Sequence, residues 1–278
     1  MKISKAVQYA LEYHKTNSRE NTVRSCEFVL SRFDREFEGK DLDAVTSDDV
    51  LAFLTRYTEG SKQSTKRSRY ATLSAFFTLI QTSAGLDLKN PCCTTMLRKL
   101  FRPAKAPNWK ILEKETVDEI IFRTTKPRNR IMLELMARGG MRISEVLGLI
   151  AKDVDGCKLT LKNPKSGKEA EVVFIPQKVA SRLREYIEHR GIMSEQRIFP
   201  LTYQGARAMV NKAGDQVGIK LRPHDLRRHA ATFASRSGTP IEIVSKVILR
   251  HANLSTTQRY LGTVSDVEAL RWIDNLYG

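Results

Sequence analysis

The chain has 278 residues, 41% of them hydrophobic and 28% charged, the proportions of a folded protein with room for one large or two medium domains. Its 47 Lys and Arg against 31 Asp and Glu leave a net charge of +16, which points to a polyanionic partner, nucleic acid first and an acidic membrane surface second. The membrane recedes because no uncharged apolar run reaches the ~18–20 residues of a span and the start, MKISKAVQYALEYHK, has no signal-peptide stretch, so a cytoplasmic location is expected.

Apolar residues recur at three- and four-residue spacing over residues 6–13 and 23–33, which predicts two amphipathic helices. Thr46-Ser47-Asp48-Asp49 carries N-cap chemistry ahead of the apolar run 50–54. A basic helix follows, in which Lys62, Lys66 and Arg69 share one face while Phe76, Phe77 and Ile80 can face a core. That face is either solvated or laid against DNA phosphates, contacts that position a protein without reading sequence.

The stretch Arg102-Pro103-Ala104-Lys105-Ala106-Pro107-Asn108 breaks the pattern and predicts a linker over 103–110, between a helical N-terminal domain (1–102) and a second domain (111–278). Residues 1–110 hold 19 Lys and Arg against 12 Asp and Glu, and the remainder 28 against 19, so both halves are basic. Two domains gripping opposite faces of a duplex would have this balance.

In the second domain, helical patterns at about 114–124 and 128–138 lead to the turn Gly139-Gly140 and a short helix from 142 to 149. Residues 158–161 and 171–175 alternate as strands across the turn-rich segment 162–168. From Lys178 the pattern is helical again and includes a helix over 203–215. The expected fold is mainly α with a small antiparallel β-hairpin or sheet. Cys26, Cys92, Cys93 and Cys157 have neither metal-ligand nor disulfide spacing and read as reduced thiols.

Several polar residues interrupt these apolar helices. Arg142 beside the Gly-Gly turn is either a surface residue capping a loop or a phosphate ligand, since the guanidinium fork donates two parallel hydrogen bonds. Glu145, three residues on, can orient it. His224 and Arg227 project together from a helix start, where exposed N–H groups favour an anion. His229 reads as structural or as a group behind the site. The sequence has no acidic or histidine cluster of metal-binding form, so arginines and histidines would replace a divalent ion. Two fixed arginines would stabilise the charge that grows on a pentacoordinate phosphorus. A tyrosine hydroxyl, with a pKa of about 10, attacks poorly unless a base or positive field assists it. Tyr260, with His251 and His224, could receive that help. A lysine on the hairpin turn could protonate the leaving 5′-oxygen.

The segments GGMRISEVLGL, PHDLRRHAAT and LRHANLSTTQRYLG, in this order and spacing, closely resemble the motifs of the tyrosine recombinase/integrase superfamily, and the resemblance covers essentially the whole chain. It implies a core DNA-binding domain and a catalytic domain clamped around double-stranded DNA. It further implies site-specific strand exchange through a 3′-phosphotyrosine and a Holliday junction, without ATP, metal or other cofactor. Carried over by position, Arg142 and Arg227 bind the scissile phosphate, His224 assists proton transfer, His251 hydrogen-bonds the phosphate and Tyr260 attacks it. Lys165 matches the family's turn lysine better than the nearby Lys168 or Lys162. The family commonly has glycine before the last histidine, and this chain has Arg250.

Beyond the tyrosine, Val267, Leu270, Trp272 and Ile273 give residues 264–276 an apolar face. It either packs on its own domain or, as the family implies, docks into a neighbouring protomer of a homo-tetramer on two DNA sites. The length leaves no room for an arm-binding domain ahead of the helical half, which resembles simple Xer-like or mobile-element recombinases. The alternatives are a type IB topoisomerase, with related chemistry, and a sequence-specific DNA-binding protein without cleavage. A helix must read bases in the major groove; Arg207 and Lys212, on the helix over 203–215, are the candidate contacts.

Overall fold

A computed structural model describes residues 1–83, 88–104, 111–162 and 169–258, together with 261, 270, 273 and 274. The chain divides into two compact units, Met1–Pro107 and Asn108–Gly278.

The first unit is helical: α1 (Ile3–Asn17), α2 (Glu20–Glu36), α3 (Ser47–Tyr57), α4 (Gln63–Ser83) and α5 (Thr95–Leu100). The start of α3 is fixed by a reciprocal cap, in which Asp49 N donates to Thr46 Oγ1 at 3.1 Å and Thr46 N to Asp49 Oδ2 at 2.9 Å. Phe33 of α2 is fully buried and packs edge-on against Phe53 of α3 and Phe77 of α4, with ring centroids 5.3 and 5.8 Å apart. Tyr70 donates its hydroxyl to Cys92 O at 2.9 Å and stacks on Phe101, which ties α4 to α5. All four cysteines are free thiols, and burial pushes Cys92 up to about 12.

The second unit begins with α6 (Lys114–Arg123), α7 (Pro127–Ala137) and α8 (Ile143–Gly148). A three-stranded antiparallel sheet follows: β1 (Val154–Asp155), β2 (Lys158–Lys162) and β3 (Ala170–Phe174). Then come α9 (Gln177–His189), α10 (Tyr203–Asp215), α11 (Pro223–Arg236), the single turn α12 (Ile241–Ile243) and α13 (Leu254–Gln258). Residues 131–137 of α7 are all buried, so this helix is the core of the unit and packs against α6, α8, α9 and α11. The one charge among those residues, Glu134, is fully buried and paired with Arg182 of α9. Among the described residues no helix is long and apolar enough to cross a membrane.

The expected hairpin is present, its first strand one residue longer at the turn and its second one residue earlier, and β1 adds a third strand. Two residues held by the pair Val154↔Leu159 and Asp155↔Lys158 leave too short an alternation to read from sequence. In β3 the register pairs Leu161 with Glu171 and Leu159 with Val173, all four side chains buried. Glu171 therefore points inward, where strand alternation calls for an apolar residue.

Candidate active site

Three segments far apart in sequence build the site. The first is the turn after α7. Gly140 has φ +60°, and a Cβ there would lie 2.9 Å from Ile248 O; at Gly139 one would lie 2.8 Å from Leu135 O. Glycine at 140 lets the chain turn this tightly against the Ile248 backbone, and glycine at 139 clears the Leu135 carbonyl. The turn delivers Arg142 to the N-cap of α8, where Arg142 N donates to Glu145 Oε2 at 2.8 Å and the guanidinium pairs with Glu145 Oε1. Arg142 keeps part of its side chain exposed, at 22%, whereas Glu145 is at 9%.

The second segment is the first half of α11. Pro223 starts the helix, and Asp225 accepts from Arg222 N at 2.9 Å and from Arg228 Nη1 at 3.0 Å. Arg227 is 1% exposed. Its guanidinium bridges two carbonyls, with Nη1 donating to Gly140 O and Nη2 to Leu249 O, and so ties the first segment to the third. His224 is exposed on the first turn, yet neighbouring side chains strip enough water from the ring to lower its pKa, helped by the positive Arg227, Arg228 and Arg142. His229 faces elsewhere: its Nδ1 donates to Leu112 O at 2.8 Å and its ring stacks on Phe233.

The third segment is a wide turn. The chain passes from α12 into a π-helical run, Val244–Ile248, closed by Leu249 N donating to Val244 O at 2.9 Å and His251 N to Ser245 O at 2.9 Å. Arg250 follows with φ +52°. Its guanidinium reaches Glu145 Oε2 at 2.7 Å. His251 Nδ1 lies 2.9 Å from Thr257 Oγ1, which donates to the buried Ser245 Oγ at 2.8 Å, so α13 fixes the rotation of the ring. Loss of water, then Arg227, Arg142 and Arg250, depress His251 to about 4. For Glu145 burial works the other way, but Arg250, the Arg142 N–H, and the Arg142 and Arg227 charges outweigh it and hold the carboxyl below its usual range.

The depressed histidine gives a pH prediction. Unfolding frees His251 to bind a proton near its ordinary value of 6.5, whereas the folded ring binds one only near 4. Its contribution is therefore intact above pH ~6.5 and lost as pH falls toward ~4, where the unfolded state holds more protons. His224 and His229 are shifted the same way. Urea midpoints of the free protein should drop across this window, and His251→Gln should make the slope shallower by up to about one proton. An unchanged slope would show that His251 titrates normally.

Tyr260 and Lys165, like Lys168, lie outside the described residues. Lys162 is exposed, with its Nζ 3.3 Å from Asp153 Oδ1. Arg207 and Lys212 are exposed on α10, and Lys62 is exposed just ahead of α4 with Lys66 half-buried one turn on. Arg69 is turned inward: it donates to Tyr57 Oη at 2.6 Å and its guanidinium lies 4.5 Å from the Phe28 ring and 4.6 Å from the Tyr57 ring. Of the candidate basic face, Arg69 is thus drawn into packing between aromatic rings. Sequence reasoning missed the part played by Arg250 and Glu171. The signals were present: an arginine in place of a common glycine, and a glutamate on the inward face of a strand.

Positive charge fixed largely out of water beside neutral histidines is a setting suited to phosphoryl transfer. Residues 110–264 match the phage integrase family. Tyrosine recombinase XerA of Thermococcus onnurineus is 30% identical over 85% of this chain and 89% of its own length. XerA of Saccharolobus solfataricus is 26% identical over 83% and 79%. Among solved structures, the Tn1549 transposon integrase in complex with transposon right end DNA aligns over 100% of both chains with a TM-score of 0.76 at 18% identity. A lambda integrase dimer bound to a core site aligns over 94% of this chain and 95% of that one, with a TM-score of 0.73 at 17% identity. The chain belongs to the phage integrase family, within the tyrosine recombinase superfamily. It is an enzyme of site-specific DNA recombination.

Proposed function

We propose that the protein exchanges strands between two double-stranded DNA sites by attack of Tyr260 on the scissile phosphate. The Tyr260 oxygen forms a bond to phosphorus as the bond from phosphorus to the 5′-oxygen breaks, which leaves a 3′-phosphotyrosine and a free 5′-hydroxyl. The tyrosine proton passes to His224, and Lys165 gives a proton to the departing 5′-oxygen. Arg142 and Arg227 stabilise the phosphorane charge and His251 hydrogen-bonds one of its oxygens. The 5′-hydroxyl of the other duplex then attacks the phosphotyrosine and releases Tyr260. Two such rounds pass through a Holliday junction, with bond energy conserved at each step. Residues 1–102 act as the core DNA-binding domain, with Lys62 and Lys66 on phosphates; residues 111–278 act as the catalytic domain, with Arg207 and Lys212 reaching DNA from α10.

One observation carries this reading: Arg227 donates to both Gly140 O and Leu249 O, which joins the segments that carry Arg142, His224 with Arg227, and His251. The relatives named as tyrosine recombinases support it. The test uses two linear site-bearing duplexes in buffer without ATP and with a chelator. Recombinant products and a four-way junction are expected. Relaxation of supercoiled DNA with no exchange would point to a type IB topoisomerase, and binding with neither reaction to a DNA-binding protein.

We further propose that the active form on DNA is a homo-tetramer coupled by exchange of the C-terminal tail. Leu270 and Ile273 are 63% and 54% exposed, one helical turn apart, which supports docking on a neighbour. Leu270→Asp with Ile273→Asp should keep single-site binding but lose the four-protomer, two-site complex in sedimentation. A full tetramer in that variant would refute the exchange.

A further inference from the structure

Arg250 occupies a backbone conformation that glycine adopts freely and arginine rarely does, at φ +52°. Its side chain is 4% exposed. Three contacts hold it: Nη2 to Glu145 Oε2 at 2.7 Å, Nη1 donating to Ile248 O at 2.8 Å, and Nε at 3.6 Å from Glu171 Oε2. The last is an ion-pair distance with no hydrogen bond. Glu145 in turn pairs through its other oxygen with Arg142. The result is a chain of alternating charge, Arg142–Glu145–Arg250–Glu171, running from the N-cap of α8 through the turn before His251 to β3.

Charge balance explains why the strained arginine is kept. Glu145 is a largely buried carboxylate and Glu171 a buried one, at 9% and 7% side-chain exposure. Among the described residues, Arg250 is the cation within ion-pair distance of Glu171. With glycine at 250, Glu145 would keep its ion pair with Arg142 and only the more distant charge of Arg227, and Glu171 would lose the cation that pairs with it among the described residues. A guanidinium that must neutralise a buried carboxylate has less charge to give a phosphate.

We propose that Arg250 is a positioning residue for strand cleavage: by sharing Glu145 it keeps Arg142 available to the scissile phosphate, and by gripping Glu145 and Glu171 it fixes the backbone that presents His251. The inference rests on the reading of Arg142 and His251 as phosphate ligands. It concerns a residue that stands where the family commonly has glycine, so the device replaces a small residue with an ionic clamp.

The test is single-turnover cleavage of a nicked site at saturating protein, with the Kd for the same DNA measured alongside. Arg250→Gly accepts the backbone conformation, so the turn is not asked to refold. Its maximal cleavage rate should fall about 10- to 100-fold, the scale of a small misplacement of a catalytic group, with little change in Kd. Arg250→Lys should recover part of the loss. Arg250→Gln, which keeps length and removes charge, covers the case in which the glycine variant melts early, and it should also be slow. Glu145→Gln in the Arg250→Gly background removes the carboxylate that would then draw on Arg142 and should cost nothing further, whereas loosening of a loop alone would give additive losses. A wild-type rate in both the glycine and glutamine variants, or additive losses in the double variant, would overturn the proposal. Arg142→Ala separates the two levels. If it cleaves like wild type, the site assignment fails; if it is inactive while Arg250→Gly and Arg250→Gln cleave at the wild-type rate, only the clamp fails.

Discussion

Tyr260→Phe is expected to lower strand cleavage by on the order of 10⁴-fold or more, the scale of removing a covalent nucleophile, and to leave DNA affinity nearly intact. The change deletes one oxygen and keeps the ring, so packing and phosphate contacts elsewhere are preserved. Affinity should persist because it is carried by a chain with 47 Lys and Arg, and its salt dependence should remain steep. A nicked substrate that traps the intermediate provides the readout: label that stays with wild-type protein in SDS and is absent from the variant. Full activity in Tyr260→Phe would remove the tyrosine from the chemistry.

The second large effect is at Arg227, and it should appear in both stability and cleavage. The side chain is 1% exposed and donates to Gly140 O and Leu249 O, holding the turn before Arg142 against the turn before His251. Arg227→Ala leaves two buried carbonyls without those donors, at about 1–3 kcal/mol each. Cleavage should be lost altogether, since the same substitution removes the charge we propose for the phosphate and the clip that aligns the other two segments. Arg227→Lys separates the roles. It keeps a charge but cannot span both carbonyls in the fork geometry, so it should melt earlier than wild type and cleave slowly. An Arg227→Ala protein with wild-type urea midpoint and activity would contradict both roles.

Much of this was legible in the sequence where the physics is local. The cap at Thr46 and Asp49 is a four-residue pattern, and it forms with both of its hydrogen bonds. The hairpin followed from alternation. Glu145 three residues after Arg142 does pair with it, as helical spacing allows. What stayed hidden depends on contacts between distant segments. Arg250 meets Glu145 across 105 residues, and Arg227 meets Gly140 across 87. No periodicity encodes such pairs. Arg69 shows the converse: helical spacing places it with Lys62 and Lys66, but the rings of Phe28 and Tyr57 on two other helices draw its guanidinium inward. The inward-facing Glu171 needed the strand register, since a shift by one residue would have put it in solvent.

The measurement that bears most directly on the account is the site of covalent attachment. Wild-type protein trapped on a nicked site should be digested and the oligonucleotide-bearing peptide sequenced. The account predicts a phosphotyrosine link at Tyr260, stable to the conditions that cleave phosphoserine. Attachment at another of the 8 tyrosines, or at a serine, would contradict it.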